Sequence, residues 1–392
     1  MGRIEYLLAS TVLRAVGIVF GWLPVRHERI VLATARVPTL EGNLAALHAT
    51  IVARHPGRPI VLLLEPYSYG FVGKIGYLLR LIRGMYYLRT SGLFIVDNAY
   101  LPVHVAPHRA GTTVVQVWHA VGALKRFGLD ARTPPADPER RFLHRHYDFV
   151  VCTAERSRAP WSAAFGVPLG RVLPLGTPRT DTFARPETVA AIRERVLARH
   201  PRLRDRRVVL YAPTFRGRGA GKRAAGHLDG RALRAALPAD HVLVLKTHPN
   251  LDPSATATDG FDVVVDPTTE INDLLMAADV LVTDYSSSIF EWALLHRPLV
   301  LLVPDLADYE VDPGLYLDYR TEMIGAQVVD TVGVAEAVRV AEVDRPAWDA
   351  FIERNIGPDV GHASDRFVDR FLGPPTVADD RSGTLPRDVS NQ

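Results

Sequence analysis

Short apolar runs bounded by turn-forming or charged residues recur along most of the chain. In the first half "RIVLATAR" (29–36), "RPIVLLLEP" (58–66), "LFIVDN" (93–98), "TTVVQVWHA" (112–120) and "DFVVCTA" (148–154) read as buried parallel strands. The segment from Glu41 to His55 fits a crossover helix between the first two. A stretch rich in Gly, Pro and Thr, "GTPRTDTFARP" (176–186), interrupts the series and predicts an interdomain linker. A second series follows: "RRVVLYAPTF", "HVLVLKTHP", "FDVVVD", "ADVLVTDYS" and "RPLVLLVPD" as strands, "INDLLMAA" and "SSIFEWALLH" as helices. Strands so uniformly apolar need helices on both faces, so the pattern predicts two doubly wound α/β domains. A helix over about 345–372 is expected to cross back to the first domain. Residues 373–392, polar and Pro-rich, are expected to be a disordered tail.

The length, 392 residues, suits two domains. The net charge of +3 gives no reason to expect nucleic acid as a partner. One cysteine, Cys152, can form neither an internal disulfide nor a cysteine metal cluster, and its place in an apolar run predicts a packing role. Residues Ile4 to Leu23 are largely apolar, with Glu5 and Arg14 inside. They fit a helix in the membrane interface with Arg3 and Arg14 reaching headgroups; a packed helix or a true span are the other readings. The stretch 70–89, "GFVGKIGYLLRLIRGMYYLR", interleaves Lys74, Arg80, Arg83 and Arg89 with aromatic and aliphatic residues, which suits an anionic membrane surface.

Candidate chemistry gathers at strand ends. "VLVTDYSSSIFEWALLHRPLVLL" (280–302) turns at Asp284 and Tyr285, and a helix starts near Ser288. Ser286, Ser287 and Ser288, with unpaired backbone N–H groups, make a phosphate site at the carboxyl end of a strand. Ser288 and Glu291 also have capping-box spacing, which needs no ligand. In "YAPTFRGRG" Thr214 can donate a hydroxyl and Arg216 a fork of N–H groups to phosphate; the basic stretch after Gly217 reads as a mobile loop. "LKTHPN" sets Lys246 and His248 on one side of a strand end. "QVWHAVGALKRFG" (116–128) presents His119, able to take a proton from a hydroxyl, and Lys125 and Arg126, able to bind a diphosphate. No Walker A loop, zinc-protease motif, nucleophile elbow or Cys/His metal spacing occurs, and no metal or other cofactor is expected.

Together "QVWHAVGALKRFG", "YAPTFRG", "LKTHP", "TDYSSSIFEWALLHRPLVLLVPD" and "DVGHASDRFVDRFL" resemble, in order and spacing, the CDP-glycerol glycerophosphotransferase family of teichoic-acid synthesis. The likeness covers about Ser91 to Leu372 and is most specific from Asp284 to Pro304. It implies a GT-B architecture: two Rossmann-like domains facing across a cleft. An N-terminal membrane-associating helix (1–24) would precede an acceptor domain (25–180), a CDP-polyol-binding domain (187–345) and a returning helix (346–372). It implies transfer of glycerol phosphate, or a related polyol phosphate, from a CDP-activated donor to a hydroxyl of a lipid-linked polyol or sugar, at the cytoplasmic face of the cell membrane. His119 matches the family's W-H-G histidine, a proposed base, with Ala120 where glycine is usual. His248 matches its second histidine. Glu291 resembles the acidic residue that GT-B enzymes place on the nucleotide ribose, and Ser364 a C-terminal helix start. His119 and His248 are thus the catalytic candidates, with Lys125, Thr214, Arg216, Lys246, Asp284, Ser286, Ser287, Ser288 and Glu291 as substrate-binding candidates. A GT-B glycosyltransferase using a nucleotide sugar and a non-catalytic nucleotide-binding membrane protein are the alternatives.

Overall fold

The structure is a computed structural model and describes residues 3–66, 70–131, 144–217, 227–247 and 257–374. It contains two six-stranded sheets, parallel throughout. The first is ordered β2-β1-β3-β4-β5-β6: β1 Arg26–Thr34, β2 Ile60–Leu64, β3 Ser91–Val96, β4 Thr113–Gln116, β5 Phe149–Val151 and β6 Val172–Leu173. The second is ordered β12-β11-β10-β7-β8-β9: β7 Arg207–Tyr211, β8 His241–Lys246, β9 Val263–Val265, β10 Val280–Thr283, β11 Leu299–Leu302 and β12 Ala326–Val328. Alternate strand residues enter different cores, as the two-residue period requires: Val31 and Ala33 one, Ile30 and Leu32 the other. In the second sheet Val208 and Leu210 face one core, Val209 and Tyr211 another. Both sheets are therefore covered on both faces, which explains their continuous apolar runs. The strands β6 and β12 escape the sequence pattern because they are very short and edge-placed.

Chain order reverses between β1 and β3 in the first sheet and between β7 and β10 in the second. Open α/β sheets bind ligands at such switch points, beyond the strands' carboxyl ends. The segment 176–186 is well packed: Thr177, Thr180 and Asp181 are buried, and Asp181 accepts from the Ala363 and Ser364 amides at 2.9 and 2.8 Å. A carboxylate from this segment thereby caps the helix Ala363–Leu372. The single returning helix expected over 346–372 is two helices. Arg345–Asn355 stays on the second core, where Phe351 stacks on Phe290 at 5.5 Å, and Ala363–Leu372 lays Phe367 and Val368 on the first sheet. Gly357 and Gly361, both left-handed, and Pro358 between them break the helical run.

The helix Arg3–Phe20 buries Tyr6, Ala9 and Leu13 against Leu81, Met85 and Leu88 of the helix Phe71–Thr90. No helix among the described residues is long and apolar enough to cross a membrane, so Ile4–Leu23 as a span is set aside. Arg14 does not reach outward as expected; its Nε donates to the Val105 carbonyl at 3.0 Å. Cys152 is buried, and burial pushes its thiol up to about 12, as a packing role requires.

Candidate active site between the two sheets

His119 follows β4 on a loop with an unusual backbone. Trp118 is left-handed, at φ 51°, a costly conformation for a bulky residue unless its surroundings hold it. Several contacts do. The Trp118 amide donates to Gln116 Oε1 at 2.8 Å, its carbonyl accepts from Asn43 Nδ2 at 2.8 Å, and its ring stacks on Phe127 at 5.2 Å. The turn delivers His119 against β3, with Nδ1 3.3 Å from the Asp97 carbonyl. A carbonyl can only accept, so Nδ1 carries the proton and Nε2 keeps a free lone pair. Desolvation, then Arg36 and Arg179, push its pKa down to about 3, so the ring is neutral near pH 7. Ala120 is not left-handed, so the missing glycine costs nothing there. The glycine that matters is Gly122, at φ 64°, where a Cβ would meet the Phe290 ring at 2.7 Å. Beyond it the loop joins the second domain: the Arg126 amide donates to Gly314 O at 2.9 Å, and the Tyr316 amide to Leu124 O at 2.9 Å.

On the other side, β10 leads into the three serines. Ser286 Oγ lies 2.7 Å from Ser288 Oγ and accepts from the Ser288 amide at 3.2 Å. Ser287 is the residue before the helix Ser288–Ala293, is half-buried and makes no side-chain cap. This corrects the capping-box reading: Ser288 lies inside the helix, and Glu291 does not reach back to it. Glu291 is fully buried and pairs with Arg179 of the linker. Burial raises its pKa and Arg179 opposes the rise. With only six residues the helix offers a weak dipole.

Thr214, Arg216 and Asp284 form a network beneath the serines. The Thr214 amide donates to Asp284 Oδ1 at 2.8 Å. Arg216 pairs with Asp284 at 2.8 Å and spans Asp305 with Nε and Nη2 at 2.6 and 3.2 Å. Its fork, expected to hold phosphate, is occupied by two carboxylates, and Asp284 faces inward onto it. These residues shape the turn that presents Ser286–Ser288. Lys246 is buried, its Nζ donating to the Thr247 and Pro267 carbonyls at 3.1 and 2.6 Å, and desolvation lowers its pKa. Lys125, on the loop after β4, sets Nζ 5.4 Å from the Tyr309 ring centre, on the helix Leu306–Val311. His248 and the basic stretch 218–226 lie outside the described residues.

Arg179 ties these parts together and was invisible in the sequence, where it reads as one more linker cation. Its Nη1 donates to the His119 carbonyl at 2.8 Å, its Nη2 pairs with Glu291, and its amide donates to Asn43 Oδ1 at 3.0 Å. One guanidinium therefore fixes the His119 loop and the serine helix relative to each other. Arg36 and Asp97 beside His119, Glu270 beside Glu291, and Glu41 next to Arg36 and Asp97 carried no signal in the sequence motifs. The Asp97 position, just past a strand at a switch point, was the available signal.

Residues 18–373 match the family model described as CDP-Glycerol:Poly(glycerophosphate) glycerophosphotransferase. A teichoic acid ribitol-phosphate primase of Bacillus spizizenii is 33% identical over 89% of this chain and 93% of its own length. A teichoic acid glycerol-phosphate primase of Bacillus subtilis is 29% identical over 67% of this chain and 68% of its own. The solved wall teichoic acid polymerase TagF superposes with a TM-score of 0.71 at 19% identity, covering 94% of this chain and 96% of that one. At that identity the likeness shows the fold alone, a GT-B-like pair of parallel sheets.

Proposed function

Since this chain belongs to the CDP-glycerol:poly(glycerophosphate) glycerophosphotransferase family, we propose that it moves glycerol phosphate, or a related polyol phosphate, from a CDP-activated donor to a hydroxyl of a lipid-linked acceptor. The observation that carries the reading is the Arg179 bridge, which joins the loop of a neutral histidine to the helix that follows the serine turn. The donor diphosphate rests on the Ser286–Ser288 amides and hydroxyls. The acceptor oxygen attacks the phosphorus that carries the polyol while its proton passes to Nε2 of His119. The bond from that phosphorus to the bridging oxygen breaks, and CMP leaves. An imidazole held near 3 is a weak base, but two donor phosphates beside it raise its affinity for the proton. Lys125 and Lys246, with His248, balance the charge growing on CMP, and Glu291 stands near the nucleotide.

A ribitol donor is the second reading, favoured by the ribitol-phosphate primase that matches along nearly its whole length. Mass spectrometry of products from CDP-glycerol, CDP-ribitol, a UDP-sugar and lipid-linked acceptors decides. Transfer from a CDP-polyol supports the proposal, and transfer from the UDP-sugar alone refutes it. His119→Ala should lower turnover about a hundredfold or more with donor affinity little changed.

The enzyme sits peripherally on the inner face of the cell membrane in this reading. Leu7, Leu8, Ile18, Val19 and Trp22 are exposed on and just after the first helix, and Val72, Ile75 and Leu79 on the helix packed beside it. Trp22 and Val72 are 86% and 81% exposed. Paired helices with such an outer face suit an interfacial position. The cations contribute less than their number suggests, since Lys74 pairs with Glu5 at 2.5 Å and Arg83 with Glu65 at 3.7 Å.

A further inference from the structure

Asp97 stands immediately beyond β3, at the switch point of the first sheet, and the mechanism above uses only its carbonyl. Asp97 as a whole is 3% exposed, and its Oδ1 has no hydrogen-bond partner. A buried carboxylate oxygen without a donor is costly, and it is open to a hydrogen bond from outside the chain. Thr34 at the end of β1, Arg36 and Arg179 lower the Asp97 pKa against the rise from burial, and both arginines also act on His119, so the two side chains share one environment. Glu41 adds a second carboxylate there, steadied by Arg36 at 3.6 Å and by the Thr39 hydroxyl at 3.3 Å.

The chemistry of this corner selects its ligand. Two acidic side chains, whose pKa values burial raises, give this corner acceptors for hydroxyl protons, while the arginines beside them leave the donor phosphates their place nearer His119. Among the described residues no group of three His, Cys, Asp or Glu side chains is placed to hold a metal ion. What fits is an uncharged group with hydroxyl protons to give, close enough to present a neighbouring hydroxyl to His119.

We propose that Asp97, backed by Glu41, recognises the acceptor as a vicinal diol. Oδ1 of Asp97 accepts a hydrogen bond from the hydroxyl next to the attacking one, which sets the attacking oxygen against Nε2 of His119. The inference rests on the transferase reading and deepens it, because it names the terminus that the acceptor must carry. It also accounts for discrimination, since a buried carboxylate left unpaired penalises an acceptor that lacks the second hydroxyl.

The test uses the full chain with CDP-glycerol or CDP-ribitol and two soluble acceptors. Hexyl glycerol phosphate ends in a vicinal diol; hexyl 3-hydroxypropyl phosphate lacks the neighbouring hydroxyl. The wild-type protein should prefer the diol by about ten- to a hundredfold in kcat/KM, the scale of a hydrogen bond to a charged group. Asp97→Ala should lower kcat/KM for the diol to the level of the other acceptor, with the donor dissociation constant unmoved in calorimetry. Asp97→Asn preserves shape and should shrink the preference to a few-fold, which keeps the test available if the alanine variant folds poorly. An equal fall with both acceptors would assign Asp97 a structural role and overturn the proposal, as would a preference that survives both changes. No turnover by the wild-type protein with either donor and either acceptor would remove the transferase reading itself, a different result from turnover without preference.

Discussion

The Arg179–Glu291 pair invites removal of one partner at a time. Glu291 is fully buried and the Arg179 side chain 13% exposed, so neither charge can turn to water if the other is lost. Arg179→Met strands a carboxylate that desolvation already disfavours. Breaking a buried pair in this way costs about 3–5 kcal/mol, whereas removing both charges together is far less harmful. Arg179→Met with Glu291→Gln should therefore recover at least about 2 kcal/mol of the single-variant loss, a coupling typical of residues in direct contact. Arg179→Lys should rescue poorly, because one ammonium cannot reproduce the fork that serves the His119 carbonyl and Glu291 at once. Urea denaturation at constant slope reads the stability, and single-turnover transfer reads the consequence for the His119 loop. Turnover should drop at least about tenfold in Arg179→Met even where the protein is fully folded, because the loop loses its carbonyl anchor. A single-variant cost under about 1 kcal/mol, or a double variant no better than the single, would refute the reasoning.

Ser287→Ala should raise the donor dissociation constant about ten- to a hundredfold with little change in stability, whereas Ser288→Ala, whose buried hydroxyl bonds Ser286, should cost about 1 kcal/mol of stability; unchanged donor affinity in both would return the turn to a purely structural role. Burial lowers the pKa of His144 from 6.5 to about 4 and that of His104 in the same direction. Between those values the unfolded chain binds protons that the folded protein refuses, so stability falls as pH falls, by about 2 kcal/mol at pH 5 from His144 alone. His144→Phe should flatten that slope in urea titrations at pH 5 and 7, and an unchanged slope would assign the acid loss elsewhere. Leu8→Glu with Ile18→Glu should cut binding to anionic vesicles at least about tenfold with the melting temperature held, since each removes an exposed apolar anchor; sedimentation that persists would place the membrane contact on another surface.

The strand sequence, the helix Gly42–Arg54 and the polar ends of β7, β8 and β10 were legible in the chain, because period and turn chemistry are local properties. His119 and the three serines were legible for the same reason: both follow an apolar strand, and a strand's carboxyl end is where such sheets place chemistry. Partnership was not. Nothing near Glu291 in the sequence announces Arg179, because the pair joins positions 112 residues apart whose meeting depends on how the two sheets face each other. The capping-box spacing of Ser288 and Glu291 therefore suggested a local bond that a distant, buried cation outcompetes. Arg216 is parallel: its type promised a phosphate clamp, and folding supplied two carboxylates from Asp284 and Asp305 before any ligand arrives. The residues beside His119 that came from β1 and β3, Arg36 and Asp97, carry no motif at all. Only the order β2-β1-β3-β4 brings those strand ends together, and burial, which the chain acquires on folding, then turns Asp97 Oδ1 into an unanswered acceptor beside the proposed base.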